Sequence, residues 1–316
     1  MKLGNDLMLA KQCLEMGNLV AIPTETVYGL AANGLDADAV LRIFEAKKRP
    51  SFNPLILHVA SIEKAKLLVS DFPPLAEILA QAFWPGPLTL VLPKAPQVPD
   101  TVTAGQDTVA IRMPSHPLTL ALLNMLDFPL AAPSANPSGY ISPTTAGHVA
   151  EQLGEQLCYI LDGGACNVGL ESTILKIEHD KAILLRAGGL EVERIEALTG
   201  EVAVFQSSEI LAPGMLQSHY APHKQVVVGD ISANIPLYPL AEILVLGFQQ
   251  AHPSIAPNRQ LVLSPKGDLH EAARNVFSYL RQLDSMEGKV ILAEWVPDIG
   301  LGRAINDRLK RAAADR

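Results

Sequence analysis

The chain has 316 residues, 25 Lys+Arg against 33 Asp+Glu for a formal charge of −8, with 48% apolar and 18% charged residues. That is enough apolar material for folded cores, too little charge for a disordered chain, and the length of two domains. The acidic balance excludes nucleic-acid affinity driven by bulk charge, which depends on Lys and Arg neutralising phosphates, and leaves room only for a local basic cleft.

The opening stretch interrupts its apolar residues with Asp6, Lys11 and Glu15, the pattern of a helix over 4–16 and not of a secretory signal. Short apolar strands are expected at 19–22, 55–59, 88–92, 109–113, 130–132, 159–161, 172–177 and 182–185. Helices are expected between them at 38–48, 61–69, 73–82, 116–126, 144–153 and 191–198. The longest charge-free stretch, between Asp127 and Glu151, is broken by Pro129, Pro133, Pro137 and Pro143, so no membrane span is expected. Cys13, Cys158 and Cys166 are too few and too scattered for a disulfide framework or a Cys-x-x-Cys metal knuckle, which predicts a cytoplasmic protein in a reducing compartment.

From Pro213 to Lys224 the polar run PGMLQSHYAPHK is bounded by prolines and has the character of a linker. Beyond it, strands at 225–228, 243–248, 260–264 and 289–295 alternate with helices from 268 to about 283 and from 300 to about 314, the rhythm of a small parallel sheet flanked by helices. The expected organisation is an α/β domain over 1–205, a linker with a His219-Tyr220-Ala221-Pro222 motif over 206–225, and a small α/β domain over 226–316.

No GxxxxGK[ST], GxGxxG, HExxH or GxSxG motif is present. A bound nucleotide would therefore need loop amides, hydroxyls and a few cations to hold its phosphates. Five polar constellations beside strand ends could supply them. The run Thr24-Glu25-Thr26-Val27-Tyr28-Gly29 is either a capped strand end or a ligand-facing loop. Lys47-Lys48-Arg49 ends a helix before Pro50, where cations suit the helix dipole, and Asn53-Pro54 leads from it into the strand carrying His58. Strand alternation puts Thr108 and Arg112 on one face, and an Arg in an apolar strand needs an anion, whether a structural carboxylate or a bound carboxylate or phosphate. Ala132, Ser134 and Asn136, with Ser142 following, suit hydrogen bonding better than nucleophilic attack, because no histidine–carboxylate pair lies nearby in sequence. Ser172 and Arg186, the latter followed by two glycines, stand beside strands where backbone can approach phosphate, although capping and turn chemistry explain both equally. Asp36-x-Asp38 is read as a helix N-cap in preference to a metal site.

In order, PTETVYGL, KxRPxxNPL, WPGPLT, AIRMPxHP, APSANPSG, ESTI, LRAGG and PGMxxxHYAP resemble the motifs of the YrdC-type threonylcarbamoyl-AMP synthases, in their longer branch with an extra C-terminal domain. One departure is Ala31, where many relatives carry Gly. The resemblance implies an α/β fold: an open, twisted, mixed-strand sheet with a large concave cleft, followed by a small Rossmann-like domain. It implies a nucleotidyltransferase that makes threonylcarbamoyl-AMP and pyrophosphate from L-threonine, bicarbonate or CO2, and ATP. The product would pass to a tRNA threonylcarbamoyl-transfer complex for modification next to the anticodon, with no direct tRNA contact required. Carried over residue by residue, the functional core falls on Lys47, Arg49, Ser134 and Asn136. Threonine contacts fall on Thr26, His58, Arg112, Ala132 and Ser172, and ATP contacts on Arg49, Asn53, Thr108, Ser134, Ser142, Arg186 and Tyr220. Mg2+ is expected on the ATP phosphates, with no metal ligand from the protein alone. Two other readings are weighed beside this one. A non-catalytic RNA-binding module fits poorly with the acidic total, and a carbamoyl-transfer maturation enzyme would bring zinc-finger Cys-x-x-Cys pairs that this chain lacks.

Overall fold

The computed structural model describes residues 2–205, 211–214 and 220–314. In the first part of the chain run β1 (Lys2–Gly4), β2 (Val20–Ile22), β3 (Gly29–Asn33), β4 (Ile56–His58), β5 (Leu88–Pro93), β6 (Thr108–Arg112), β7 (Leu130–Ala131), β8 (Tyr159–Leu161), β9 (Thr173–Glu178), β10 (Lys181–Arg186) and β11 (Ala203–Val204). They form one 11-stranded sheet in the order β1-β8-β2-β3-β7-β4-β6-β5-β9-β10-β11. Parallel pairs such as β4–β6 and β5–β9 mix with antiparallel ones such as β2–β3 and β5–β6, as the resemblance implied. The second sheet, β12 (Gln225–Val228), β13 (Ile243–Gly247), β14 (Gln260–Val262) and β15 (Val290–Ala293), is parallel throughout, in the order β12-β15-β13-β14.

Helices α1 (Leu7–Glu15), α2 (Ala37–Lys47), α3 (Ile62–Lys66), α4 (Pro74–Phe83), α5 (Asp100–Thr103), α6 (Pro117–Asn124), α7 (Ala146–Leu153) and α8 (Val192–Thr199) accompany the large sheet. With the small sheet go α9 (Ile231–Asn234), α10 (Leu269–Ser285) and α11 (Leu301–Ala312). Helix α2 shows how sequence sets such an element. Asp36 caps it, accepting from the amides of Asp38 (3.0 Å) and Ala39 (3.2 Å), which is the role expected of Asp36-x-Asp38. Ala39, Val40, Ile43, Phe44 and Lys47 make up its buried face, so helical periodicity itself delivers the Lys47 ammonium to the interior. The helix closes with Lys48 in the left-handed region (φ +50°) ahead of Pro50, which turns Arg49 back toward the same side.

Three expectations need correction. β3 falls where a polar loop was expected to continue; its first four residues are all buried, three of them Gly or Ala, so it shows no alternation. A Cβ added at Gly29 would stand 3.2 Å from that of Ala132, so the two segments pack closely at this point. β1 falls where only a helix was foreseen, its first two residues exposed and its pairing made solely with the distant β8. Finally, Cys13 of α1 and Cys158 before β8 are disulfide-bonded (S–S 2.09 Å) across 145 residues, so these thiols are not free as expected; Cys166 is free and buried. Sequence scatter says nothing of distance once β8 lies between β1 and β2. Among the described residues, no helix is long and apolar enough to cross a membrane.

The large sheet has its own apolar core, but the core of the small one is shared. Val27, Ile141, Leu170 and Tyr220 pack into the same buried cluster as Leu246, Phe277, Leu280 and Ile305.

Candidate active site

Two members of that shared cluster, Val27 and Tyr220, line a cavity. Its walls are Thr26, Val27, Arg49, Ile56, His58, Arg112, Ala132, Pro133, Ser134, Glu171, Ser172 and Arg186, and Pro213, Gly214 and Tyr220 of the linker cover it. The space left is about 40 Å³, room for a few water molecules and far less than a nucleotide occupies. The cover depends on Gly214, whose φ is +82° and whose missing Cβ would collide with Tyr220 Oη (2.6 Å) and Arg186 Nη1 (2.8 Å). Tyr220 is stacked on Phe277 of α10, ring centroids 5.4 Å apart, and burial raises its phenol pKa. His219 of the linker motif lies outside the described residues.

Three guanidiniums set the electrostatics. Arg112, at the end of β6, donates through Nη2 to Glu25 Oε1 (2.6 Å), through Nη1 to Thr26 Oγ1 (2.9 Å) and through Nε to the Gly86 carbonyl (3.2 Å). Glu25 also accepts from the Ser115 amide (3.1 Å). The anion that Arg112 requires is thus present in the chain as a structural carboxylate, and among the described residues a second N–H on each of Nη1 and Nη2 has no hydrogen-bond partner. Arg49 and Arg186 differ. Arg49 donates to the carbonyls of Asn53 (3.1 Å) and Pro54 (2.9 Å), and Arg186 to those of Ser172 (2.8 Å) and Pro213 (2.9 Å) and to Ser172 Oγ (3.3 Å). Among the described residues neither is hydrogen-bonded to a carboxylate, although Arg186 lies within electrostatic reach of Glu171. Burial pushes Arg49 down to about 9, Tyr220 opposing and Arg186 adding to the shift.

Other expected residues take supporting places. Lys47 is 1% exposed, and its ammonium donates to the carbonyls of Ser134 (2.5 Å) and Asn136 (2.5 Å), pinning the loop that carries both side chains. Burial, with Arg49 adding to it, lowers its pKa well below the usual lysine range. Asn136 Nδ2 bonds the carbonyls of Pro137 and Tyr140 (both 2.8 Å). Both amide atoms of Asn53 and Oδ1 of Asn136 are buried without a partner among the described residues, an arrangement that costs free energy unless a ligand or water satisfies them. Thr26 Oγ1 pairs with Thr24 Oγ1 (2.7 Å), and Ser172 Oγ with Thr89 Oγ1 (2.7 Å). His58 pairs in register with Arg112 across β4 and β6; burial, with Arg112 adding to it, pushes its imidazole down to about 3, so it is neutral at ordinary pH.

The structure brings Thr26, Arg49, His58, Arg112, Ala132, Ser134, Ser172, Arg186 and Tyr220 onto one cavity, with Lys47 bonded directly behind it. Ser142 reaches the wall through its bond to Glu171 Oε1 (2.5 Å). Thr108 is not brought there. It starts the strand that Arg112 ends, and it lines a separate surface groove with Lys176 and Glu178. Sequence reasoning gave no role to Glu171, which lines the cavity, nor to Arg308, which pairs with it from α11 (2.9 Å). The signal for Arg308 was present, since it interrupts the apolar stripe Leu301, Ala304, Ile305, Ala312.

Fold and site together define an α/β protein with buried guanidiniums and hydroxyls gathered on one cavity. Residues 12–188 match the family model described as Telomere recombination (Sua5_yciO_yrdC), and residues 190–314 match that of Threonylcarbamoyl-AMP synthase, C-terminal domain. Threonylcarbamoyl-AMP synthase of Pyrococcus abyssi is 44% identical over 98% of this chain and 94% of its own length; that of Bacillus subtilis is 41% identical over 99% and 94%. The crystal structure of P. abyssi Sua5 complexed with L-threonine superimposes with a TM-score of 0.90 at 41% identity, covering 99% of this chain and 97% of that one. The chain belongs to the threonylcarbamoyl-AMP synthase family, in its two-domain form.

Proposed function

We propose that this protein joins L-threonine, bicarbonate or CO2, and ATP into threonylcarbamoyl-AMP, releasing pyrophosphate. The product then supplies a tRNA threonylcarbamoyl-transfer complex, with no need for tRNA at this site. The observation that carries the reading is the pair of buried arginines, Arg49 and Arg186, held by carbonyl and hydroxyl oxygens beside a third, Arg112, that retains free N–H groups.

The reaction needs such a site. The threonine nitrogen bonds to the carbon of CO2 and loses a proton, giving a carbamate. A carbamate oxygen then attacks the α-phosphorus of ATP as the bond to pyrophosphate breaks. Both partners are anions, so their approach requires cations fixed in advance. Arg49 and Arg186 suit the phosphates, and Asn53, Ser134 and Ser142 add polar groups beside them. Arg112 suits the threonine carboxylate, Thr26 and Ser172 its polar groups, and the small side chain of Ala132 leaves room for its body. Neutral His58 adds no competing charge. Lys47 acts through the backbone of the Ser134–Asn136 loop. With no nucleophile–base pair in this arrangement, rate enhancement comes from positioning and electrostatics.

Magnesium would supply further charge neutralisation. The two carboxylates nearest the reaction space, Glu25 and Glu171, are both engaged by arginines, and no group of three His, Cys, Asp or Glu among the described residues could hold a metal. On this reading the ion would arrive on the phosphate oxygens of ATP. The cover of Pro213, Gly214 and Tyr220 must move to admit ATP, and its return would keep water from the reactive mixed anhydride.

The test incubates purified protein with ATP, Mg2+, bicarbonate and single amino acids, following pyrophosphate release and the mass of the adenylate. Release that requires both threonine and bicarbonate, with the threonylcarbamoyl-AMP mass, is the expected result. Folded protein that stays silent with threonine overturns the reading.

A further inference from the structure

Arg308 lies in the second domain and has no part in the chemistry above, yet its side chain is 0% exposed. Its guanidinium crosses to the first domain, where Nε donates to Glu171 Oε2 (2.9 Å) and Nη2 to the Ala187 carbonyl (2.9 Å). It lies 5.0 Å from the centre of the Tyr220 ring, and Nη1 bonds its neighbour Asp307 (2.6 Å). Burial alone would push the Glu171 carboxyl up, but Arg308 and then Arg186 hold it below the usual carboxylate range. Glu171 is thus an anion in the wall of a cavity read as the site of a triphosphate. Its other oxygen is in use, accepting from Ser142 Oγ at 2.5 Å. Arg281 of α10 grips the same loop through the carbonyls of Ile141 and Ser142.

A carboxylate makes a strong acceptor for Ser142 but has the wrong sign to face phosphates. We propose that Arg308 is a positioning residue that masks Glu171, so that Glu171 can fix Ser142 at the ATP end of the cavity without repelling the nucleotide. The second domain thereby sets the charge of the first domain's site. The inference rests on reading this cavity as the ATP site.

Arg308→Met keeps length and apolar packing while uncovering Glu171. The expected result is a rise of at least tenfold in both the KM for ATP and the calorimetric Kd for ATP measured without threonine, with the KM for threonine within twofold. Adding Glu171→Gln removes the exposed charge and keeps an acceptor for Ser142, so the double variant should return to within threefold of wild type. An unchanged ATP affinity in the single variant, or a double variant as weak as the single, overturns masking and leaves Arg308 a packing role. Should Arg308→Met fail to fold on thermal melting, Arg308→Lys, which keeps the charge and loses the fork, should stay within threefold for ATP; a larger loss overturns the proposal. Wild-type protein that binds ATP but makes no adenylate sinks the synthase reading and leaves masking standing. Wild-type protein that binds no ATP sinks both.

Discussion

Arg112→Lys separates the two anions that Arg112 can serve. Lysine keeps a positive charge for Glu25 but, as a single point donor, cannot also bond Thr26 Oγ1, the Gly86 carbonyl and a substrate carboxylate. Leaving the buried Gly86 carbonyl unpaired costs about 1–3 kcal/mol. At roughly 2–4 °C per kcal/mol for a domain of this size, melting should fall by about 2–12 °C. Losing a charge-assisted bond to the threonine carboxylate costs about 1.5–3 kcal/mol, or roughly 10- to 150-fold in threonine affinity. Pyrophosphate release titrated separately with threonine and with ATP reads this directly, and calorimetry with threonine alone confirms it. Threonine KM within twofold of wild type, with the loss appearing in the ATP titration, would show that Arg112 faces phosphate and refute the assignment.

Further outcomes follow from other contacts. Ser172→Ala should erode the preference for threonine over 2-aminobutyrate by roughly tenfold, the range of one hydrogen bond, without a large change in melting; an unaltered threonine KM counts against it. Arg49→Lys keeps a cation but loses the planar fork that bonds the Asn53 and Pro54 carbonyls, so the KM for ATP should rise roughly tenfold, the range of one charge-assisted hydrogen bond, and an unchanged KM refutes the role. His58, pushed down to about 3, stays neutral when folded while its unfolded form binds a proton below about pH 6.5, so stability should fall on acidification. Between pH 6.5 and 4 the loss is about 3 kcal/mol, and His58→Asn should flatten that part of the melting profile. Gly214→Ala should displace the cover and raise the ratio of AMP to threonylcarbamoyl-AMP in the products, and an unchanged ratio argues against a water-excluding role.

What could be read from the sequence was whatever depends on near neighbours. The stripe Ala39, Val40, Ile43, Phe44, the Asp36 cap and the Pro50 stop define α2, and with it the delivery of Lys47. The ordered motifs contain most of the residues that line the cavity. What escaped depends on chain segments far apart. The Cys13–Cys158 bond spans 145 residues, and Arg308 pairs with Glu171 at a separation of 137. Thr108 shows a different limit: alternation says which face of a strand a side chain shares, but not which end of that strand the cavity occupies. β3 was hidden because a strand buried on both faces carries no alternating pattern.

The shared core of Val27, Ile141, Leu170 and Tyr220 with Phe277 and Leu280 has a thermodynamic meaning. Neither sheet can lose its packing without uncovering apolar surface on the other, so the two should melt as one cooperative unit. Whatever occupies the cavity is then linked by mass action to the folding of α10, α11 and the parallel sheet behind them. A substrate that touches only the first domain stabilises the second.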